Sequence, residues 1–394
     1  MKKSIFFYSN RHPLQETLLR NPPENITINS NISLSDLEVN NEYKFLYSKI
    51  KYLYSIFLNT IEFPRVLPIS IKEDLLLTHP GILPLTTKPW MVWVEYVTSL
   101  TNLDYESTTK KRLKKRVVKH LESDKCKFIL PYSDACLKSI KNSYKDYVDS
   151  FEDKLRVFPP AIEPKVTHLS KENKNEIKFL YIESHFFDSG GREIIDVFEK
   201  IQDDNPDIKL KLSIITGIPP HHKELFEKTM KKIKTIPNIN YIGQNLKRSI
   251  LFSDFYQTHD ILLIPSFRHT FGYTILEAMS CGMPIIGSDV SAIPEMVRDG
   301  YNGFIIKAPI KFHNKYYLTS NEFIDNYRKE LLREENFDKF KDDLYKAMSK
   351  YIDNQQLIQS HGENSLKMVT TGRYSVKTQQ NSLKELYEKA VQYK

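Results

Sequence analysis

The sequence has few cysteines and no long apolar stretch, and each of these shortages excludes a class of protein. The three cysteines, Cys126, Cys136 and Cys281, are an odd number without the spacing of metal ligands. A core of the size that 394 residues can bury needs no disulfides. No run of about 18 apolar residues predicts a membrane-spanning helix, and the apolar part of the N-terminus is too short for a signal peptide. We therefore expect a cytoplasmic protein.

The motifs of two common classes of nucleotide-binding enzyme are also missing. The sequence contains neither G-x-G-x-x-G nor G-x-x-x-x-G-K-[ST], which disfavours dinucleotide-dependent oxidoreductases and P-loop nucleotidases. The acid pairs Asp203-Asp204 and Asp342-Asp343 lie in polar, helical surroundings that are typical of solvated surfaces. We therefore predict no metal site and no cofactor.

Positive charge is concentrated in one segment of a chain whose formal net charge is +8. The segment KKRLKKRVVKH, Lys110 to His120, holds seven lysines and arginines. Leu113, Val117, Val118 and Leu121 recur there at near-helical spacing, which indicates an amphipathic helix with a solvated basic face. The alternative is a helix that contacts anionic lipid headgroups or an anionic acceptor, so that the protein lies peripherally at a membrane. Nucleic acid is not expected as a partner, because no recognisable nucleic-acid module accompanies the charge.

Short runs rich in Ile, Val, Leu and aromatic residues alternate with stretches of helical period along the chain. This alternation predicts an α/β fold with two doubly wound parallel sheets, whose strand ends would meet at a cleft. A polar stretch at 168–176 is the expected linker. We predict a first domain over 1–162, a second domain over 163–376 and a terminal helix over 377–394. Further expected elements are helices at 42–58 and 108–122 and a short strand at 155–158.

The densest cluster of unusual residues runs from Ile264 to Ile306. A strand, ILLIPS, leads into a loop with Phe271-Gly272, and a helix is expected from Tyr273. Such a junction offers free backbone N–H groups and the positive end of a helix dipole to an anion, typically a phosphate. Glu277, about one turn into the helix, can accept hydrogen bonds from two vicinal hydroxyls of a ribose. The alternative is a surface glutamate on an amphipathic helix.

The same segment resembles the donor-binding half of a known enzyme family. The matching residues are Pro265-Ser266, Phe271-Gly272 and the string EAMSCGMPIIGSD from Glu277, followed by Pro294-Glu295 and by DGYNGF from Asp299. Over roughly 45 residues they resemble the large family of retaining glycosyltransferases commonly numbered four. The resemblance implies the GT-B fold, in which two Rossmann-like domains, the first acceptor-binding and the second donor-binding, face each other across a cleft and a terminal helix crosses back onto the first domain.

The resemblance also implies a function and a set of site residues. The protein would be a retaining, metal-independent glycosyltransferase with a UDP- or GDP-linked sugar as donor and a glycan, a lipid or a protein as acceptor. Glu277 matches the residue that binds the ribose, and His269 stands where the family has a glutamate that contacts the donor sugar. Further donor contacts are implied for the backbone of Thr270, Phe271, Gly272, Tyr273, Thr274 and Ile275, and beside the base for Gly243 and Gln244.

The first loop of the predicted donor domain departs from the family pattern. Ser184 and Ser189 stand where family members usually have an arginine and a lysine. Gly190 and Gly191 follow, and they can form a phosphate nest at the start of the next helix. The two cations that would normally face the diphosphate are therefore missing from their places.

Four nearby cations, Arg192, Arg268, Lys247 and Arg248, can replace them. Arg192 and Arg268 are preferred, because a guanidinium suits bidentate phosphate contacts and both lie in the matching loops; the alternative for each is an ordinary surface arginine. If none of the four replaces the missing cations, the alternative is a catalytically degenerate GT-B protein that binds sugar or nucleotide without turnover. A third possibility is another enzyme of the same architecture, such as a sugar-nucleotide epimerase or a phosphorylase.

Two residues of the first domain end predicted strands, His79 in LLLTHPG and Glu95 in PWMVWVEYV. Functional groups of open α/β sheets lie at the carboxyl ends of the strands. His79 and Glu95 are therefore predicted, with His269 and Glu277, as catalytic residues that contact acceptor or donor. For Glu95 the alternative is a partly buried acid satisfied by backbone amides.

Overall fold

The fold is given by a computed structural model, which describes residues 3–9, 13–32, 56–167, 169, 175–218, 222–244, 246–333 and 337–392. The expected helix at 42–58 lies outside these residues up to position 55, and most of the expected linker at 168–176 lies outside them as well. Within the described ranges, no helix combines the length and the apolar character needed to cross a membrane.

The chain divides into two compact units. The first comprises Met1–Ile162, His313–Glu322 and Thr371–Lys394, and the second comprises Glu163–Phe312 and Phe323–Thr370. Two segments from the second half of the chain thus belong to the first unit, whereas the sequence assigned residues 313–322 and 371–376 to the donor-binding domain. The packing of the first segment gives the reason: the ring of His313 lies 4.7 Å from that of Tyr96, whose hydroxyl donates to the Tyr317 carbonyl.

The sheet of the first unit is parallel and is buried at its centre. The strands described in this unit are β1 Lys3–Ser9, β2 Ile26–Ser30, β3 Val66–Pro68, β4 Leu75–His79, β5 Leu83–Leu85, β6 Trp90–Val94 and β7 Cys126–Pro131. Their order is β2-β1-β4-β6-β7, and β3 pairs with β5 separately. The sequences LLLTH of β4 and WMVWV of β6 are buried throughout, as expected for strands covered on both faces. The order reverses direction between β1 and β4, which makes the carboxyl ends of these two strands the switch point of the sheet.

The helices of the first unit agree with the apolar periodicity of the sequence. They are Pro13–Arg20, Lys111–Leu121, Asp134–Ser143 and, from the end of the chain, Val376–Gln392, with 3₁₀ turns at Val97–Leu100, Glu106–Thr109, Val148–Ser150 and Glu152–Lys154. Helix Lys111–Leu121 buries Leu113, Val117, Val118 and Leu121, so the predicted amphipathic helix is confirmed. The strand expected at 155–158 is wrong, because Leu155 forms only an isolated bridge with Ile129 before the chain reaches two prolines.

The second unit has a six-stranded parallel sheet. Its strands are β8 Glu176–Ile182, β9 Lys209–Thr216, β10 Ile239–Gly243, β11 Ile261–Ile264, β12 Ile285–Ser288 and β13 Gly303–Ile306. The order β10-β9-β8-β11-β12-β13 is that of a dinucleotide-binding Rossmann sheet, with its switch point between β8 and β11. The prediction of two doubly wound parallel sheets is therefore confirmed.

The helices of the second unit surround this sheet and continue beyond it. They are Gly191–Asp204, Lys223–Ile233, Arg248–Ile250, Tyr273–Ser280, Ile293–Met296, Asn321–Leu331, Asp338–Asp353 and Gln356–Thr370, with a π-helical turn at Leu251–Tyr256. Helix Gly191–Asp204 follows β8 and buries Ile194, Ile195 and Phe198, which fixes its first turn beside the switch point.

Candidate functional site

The switch point of the second sheet is formed by the two loops that follow β8 and β11, residues 183–190 and 265–272, which we call the switch-point loops. They pack tightly against each other. The Phe267 N–H donates to the Asp188 carbonyl at 2.8 Å, and the hydroxyls of Ser189 and Ser266 lie 3.3 Å apart. A Cβ on Gly190, whose φ is +71°, would lie 2.9 Å from a Pro265 carbonyl oxygen. These contacts build a compact rim at the edge of the sheet where ligands of such folds bind.

Helix Tyr273–Ser280 begins directly at this rim. Its N-cap, Gly272, has a φ of +98°, and the Ile275 N–H donates to the Gly272 carbonyl at 3.0 Å. A Cβ on Gly272 would meet His269 Nε2 at 3.0 Å and Ile275 Cδ1 at 3.1 Å, so the backbone conformation and the close packing both require glycine. The first turn of the helix carries the positive end of its dipole. This end of the helix is suited to an anion.

The other residues predicted in this loop are placed as follows. Phe271 and Ile275 are buried, and the Thr270 carbonyl accepts a hydrogen bond from the Ser291 hydroxyl at 2.8 Å. Thr274 is partly exposed, and the Tyr273 ring lies 5.7 Å from the Arg248 guanidinium. The loop is thus held by its buried side chains and by the hydrogen bond from Ser291.

Glu277 is a buried carboxylate with a specific partner on each oxygen. It is 7% exposed; Arg248 Nε donates to its Oε1 at 2.8 Å, and the Tyr256 hydroxyl donates to its Oε2 at 2.8 Å. The Arg248 guanidinium also lies 5.3 Å from the ring of Phe252. Burial, and next the charge of Glu277, raise the pKa of Tyr256 well above its ordinary value. The alternative of a surface glutamate is therefore excluded.

His269 and Glu183 face each other across the switch-point loops. Their Nε2 and Oε1 atoms are 3.7 Å apart, and the two side chains are 17% and 11% exposed. Both atoms are shielded from solvent, and neither has a hydrogen-bond partner among the described residues. Burial raises the pKa of Glu183 to about 8 and lowers that of His269 to about 4. Since burial disfavours the charged form of each group, the pair at neutral pH is a carboxylic acid beside a neutral imidazole.

The N–H groups of Gly190 and Gly191, predicted to form a phosphate nest, donate to the Phe187 and Phe186 carbonyls at 3.4 and 2.9 Å, and Arg192 also makes its contacts within the unit. Gly190 is the left-handed N-cap of helix Gly191–Asp204, and a Cβ on Gly191 would lie 2.4 Å from the ring of Phe186. The Arg192 guanidinium donates to Glu193 Oε1 at 2.8 Å and to the Leu331 carbonyl at 3.3 Å. Arg192 as a ligand of the diphosphate stays a prediction, and the structure gives its charge a partner inside the unit.

Arg268 lies on the rim, where it is partly exposed. Its guanidinium packs 4.3 Å from the centre of the Phe312 ring. Burial, and next the charge of Arg268, lower the pKa of His185, which places the arginine beside the first switch-point loop. Of the two arginines predicted to replace the missing cations, Arg268 is the one whose guanidinium remains at the rim.

The predicted base-contacting residues follow β10. Gly243 ends this strand, and a Cβ there would meet no atom within 4 Å. The Gln244 side chain lies against the end of β9, since a Cβ on Gly217 would come within 2.2 Å of Gln244 Oε1. The two residues therefore lie at the carboxyl edge of the sheet, two strands away from β8.

His79 and Glu95 lie at the carboxyl edge of the first sheet. His79 is 1% exposed; its Nδ1 is 2.9 Å from Ser9 Oγ, and its Nε2 is hydrogen-bonded to the Tyr132 hydroxyl. The rings of His79 and Tyr132 stack with centroids 5.7 Å apart. Glu95 follows β6 and is partly exposed. Catalytic roles for both stay predictions, and the contacts of His79 are those of a buried histidine that ties three strand ends together.

Two residues of the site, Glu183 and Tyr256, were not singled out from the sequence, and Arg248 was considered only as a cation for the diphosphate. Glu183 directly follows the apolar strand β8, and this position was a usable signal, since an acid at the carboxyl end of a buried strand is seldom accidental. Tyr256 lies 21 residues before Glu277 in the chain, and no local pattern connects the two. Arg248 is linked to Glu277 only through the fold.

Comparison with known proteins places these features in a family. Residues 167–331 match the family described as "Glycosyl transferases group 1". Trehalose synthase of Thermococcus litoralis is 29% identical over 188 residues, which cover 41% of this chain and 44% of that protein. The matched region therefore spans less than half the length of this relative.

Solved structures resemble the whole chain. Anabaena HepE in complex with UDP aligns over 97% of this chain and 98% of its own, with a TM-score of 0.58 and 12% identity, and its complex with UDP-glucose gives a TM-score of 0.56 at 11% identity. A glycosyltransferase from Rickettsia africae aligns over 100% of both chains, with a TM-score of 0.59 and 13% identity. At such low identity the likeness shows the fold alone.

Proposed function

We propose, from the premise that this chain belongs to the group 1 glycosyltransferases and has the GT-B fold, that it transfers a sugar from a nucleoside diphosphate sugar to an acceptor. The observation that carries the proposal is Glu277. Its carboxylate is only 7% exposed and lies one turn into a helix that starts at a switch point. Burial of a charged group costs free energy unless the group is paired and hydrogen-bonded. The sequence resemblance implies ribose binding for the acid at this position.

The contacts of Glu277 are compatible with ribose binding. Each carboxylate oxygen can accept two hydrogen bonds, and the oxygens each receive one, from Arg248 and from Tyr256. One acceptor site on each oxygen therefore remains for the vicinal hydroxyls of a ribose. Arg248 and Tyr256 fix the orientation of the carboxylate before the nucleotide binds.

The diphosphate would lie at the N-terminus of helix Tyr273–Ser280. The positive end of the helix dipole favours an anion there, and Arg268 supplies a cation at the rim. Stabilisation of the departing diphosphate is the main electrostatic task in such a transfer. We propose a retaining transfer without a metal, in which the leaving phosphate assists deprotonation of the acceptor, as the family resemblance implies.

The acceptor side of the proposal rests on the first unit. Helix Lys111–Leu121 exposes Lys111, Lys115 and Lys119, which are spaced four residues apart and so lie along one face. Arg116 is bound instead to the carbonyls of Ile61 and Glu62. This basic face supports a glycan or lipid-linked acceptor and peripheral contact with an anionic membrane from the cytoplasmic side.

A second candidate function is binding of nucleotide or sugar without turnover. The observation that favours it is the lack of cations at Ser184 and Ser189, together with the internal ion pair of Arg192 with Glu193. Incubation with nucleotide sugars separates the two functions. Slow release of free sugar supports an enzyme, and binding with neither hydrolysis nor transfer supports the binding protein.

Thermal stability in the presence of UDP, GDP and ADP tests the proposal directly. A ligand at 100 times its Kd stabilises the folded state by about 2.7 kcal/mol, which raises Tm by roughly 5–10 °C for a unit of this size. Glu277→Gln is expected to remove the rise. Glu363→Gln, at an exposed position of helix Gln356–Thr370, is the matched control and is expected to keep it. Equal rises in both variants would contradict the assignment of Glu277.

A further inference from the structure

Two buried polar atoms at the switch point have no hydrogen bond in the part of the chain that the structure describes: Glu183 Oε1 and His269 Nε2. They are 3.7 Å apart, so they make no hydrogen bond as they stand, and a shift of about 0.5 Å would bring them within hydrogen-bonding distance. Buried polar atoms without partners are rare in folded proteins, and where they occur at a ligand-binding edge, binding is a common reason.

The position of His269 connects this pair to the anion-binding end of helix Tyr273–Ser280. Its Nε2 lies beside Gly272, where a Cβ would come within 3.0 Å, and Gly272 is the N-cap of that helix. A phosphate held by the first turn would therefore lie next to the imidazole. The group esterified to this phosphate is then within reach of the pair.

We propose that Glu183 and His269 act as one acid–imidazole pair in the donor-sugar subsite, where Glu183 positions the imidazole of His269 against a sugar hydroxyl. This inference rests on the proposed function, because it assigns the sugar end of the same donor. Glu183 is a positioning residue, since its Oε1 faces the histidine, and the imidazole, whose side chain is 17% exposed, makes the contact with the sugar.

The charge state of the pair determines its effect on the donor. The acid Asp188 and the phenol Tyr181 face Glu183, and His185 and Arg268 lie on the side of His269. While Glu183 keeps its proton, the carboxyl group can donate to Nε2 and adds no negative charge beside the diphosphate. When Glu183 loses that proton, a carboxylate faces the diphosphate and the donated hydrogen bond is lost. Sugar recognition should therefore weaken at alkaline pH.

Two substitutions separate positioning from a merely structural role. Glu183→Gln keeps the volume and a donor toward Nε2 but cannot ionise, whereas Glu183→Leu keeps the volume and removes the donor. Calorimetric Kd values would be measured for UDP, UDP-glucose, GDP and GDP-mannose between pH 6.5 and pH 9. The sugar gain is the Kd of the nucleoside diphosphate divided by the Kd of its sugar derivative.

The wild-type protein should show a sugar gain that falls as pH rises through about 8, while Glu183→Gln keeps the gain at every pH. Glu183→Leu should reduce it by about five- to tenfold, the loss expected for one hydrogen bond. His269→Leu should give a similar loss, and the double variant should lose no more than either single one. At pH 6.5, where Glu183 keeps its proton, the affinity for UDP or GDP alone should stay unchanged in Glu183→Gln and Glu183→Leu.

The outcomes distinguish this inference from the proposed function. A chain that binds neither UDP nor GDP contradicts the proposed function and this inference with it. Binding of the nucleotide with no gain from either sugar, or a full gain in Glu183→Leu, overturns the inference and leaves nucleotide binding standing. If Glu183→Leu does not fold, the pH comparison of wild type with Glu183→Gln decides alone, and parallel pH profiles overturn the proposal.

Discussion

Removal of the guanidinium from Arg248 tests how the candidate ribose-binding carboxylate is held. Arg248→Met keeps most of the side-chain length and the packing on Phe252, but it leaves Glu277 with only the Tyr256 hydroxyl of the two donors described above. The buried carboxylate then lacks its counter-charge. We expect the variant to be less stable and to bind nucleoside diphosphates more weakly.

The size of the loss follows from the geometry of the ion pair. A hydrogen bond to a charged group contributes about 1.5–3 kcal/mol, and removal of one partner of a fully buried pair costs about 3–5 kcal/mol. The side chain of Arg248 is 29% exposed and that of Glu277 is 9% exposed. Because the pair is not fully buried and the hydrogen bond from Tyr256 remains, we expect the free energy of unfolding to fall by about 2 kcal/mol. For a unit of this size that is a fall in Tm of roughly 4–8 °C.

A double-mutant cycle measures the pair itself. Arg248→Met, Glu277→Gln and the double variant would be unfolded with urea, and the coupling free energy calculated from the four stabilities. We expect a coupling of about 1–2 kcal/mol. Arg298→Met, at an exposed arginine on the Tyr301 ring, is the control and should change stability by less than about 0.5 kcal/mol. Additive effects of Arg248→Met and Glu277→Gln, within about 0.5 kcal/mol, would refute the reasoning.

Three further predictions concern backbone, packing and pH. Gly272→Ala should lower stability by about 2 kcal/mol or more, because the new Cβ adds a close contact with His269 to the strain of a positive φ. Gly300→Ala, at φ +69° with open space around the glycine, should show the strain alone. Calorimetric Tm values of the two variants measure the difference. Tyr132→Phe should cost about 1–2 kcal/mol in urea unfolding, because it leaves a buried imidazole nitrogen without its hydroxyl partner, and unchanged stability would contradict the assigned bond. Glu183 binds its proton more tightly in the folded protein than in the unfolded chain, so the stability of the wild type should fall by up to about 2 kcal/mol between pH 6.5 and pH 8. His269 changes stability in the opposite direction only below pH 6.5. If Glu183→Gln shows the same slope of stability against pH, another group titrates.

The sheets could be predicted because their signal is local. The strands LLLTH and WMVWV are apolar throughout, since both faces are covered, and Glu277 stands at a fixed distance after Gly272 on one helix. In each case residues close in sequence determine the structure. The amphipathic helix Lys111–Leu121 was predictable for the same reason.

The rest of the site could not be predicted, because it depends on contacts between distant residues. Arg248 and Glu277 are 29 residues apart, and they meet through a π-helical turn at Leu251–Tyr256 that no periodicity indicates. For Arg192, in contrast, a local pattern was present, but it did not indicate the contact that the structure shows. Its position after two glycines suggested a phosphate ligand, but the adjacent Glu193 is buried and takes the guanidinium as its counter-charge.

The division of the chain into units has a consequence for how the protein is made. The first unit includes Thr371–Lys394, and from this segment Tyr387 donates to Asp74 at 2.9 Å and Glu388 pairs with Lys3. A ribosome makes these residues after the whole of the second unit, so the N-terminal sheet waits for this helix while the second unit can complete its own fold first. A fragment cut at residue 162 would lack that helix, and dissection of the protein into halves should therefore join 1–162 to 371–394 by a linker.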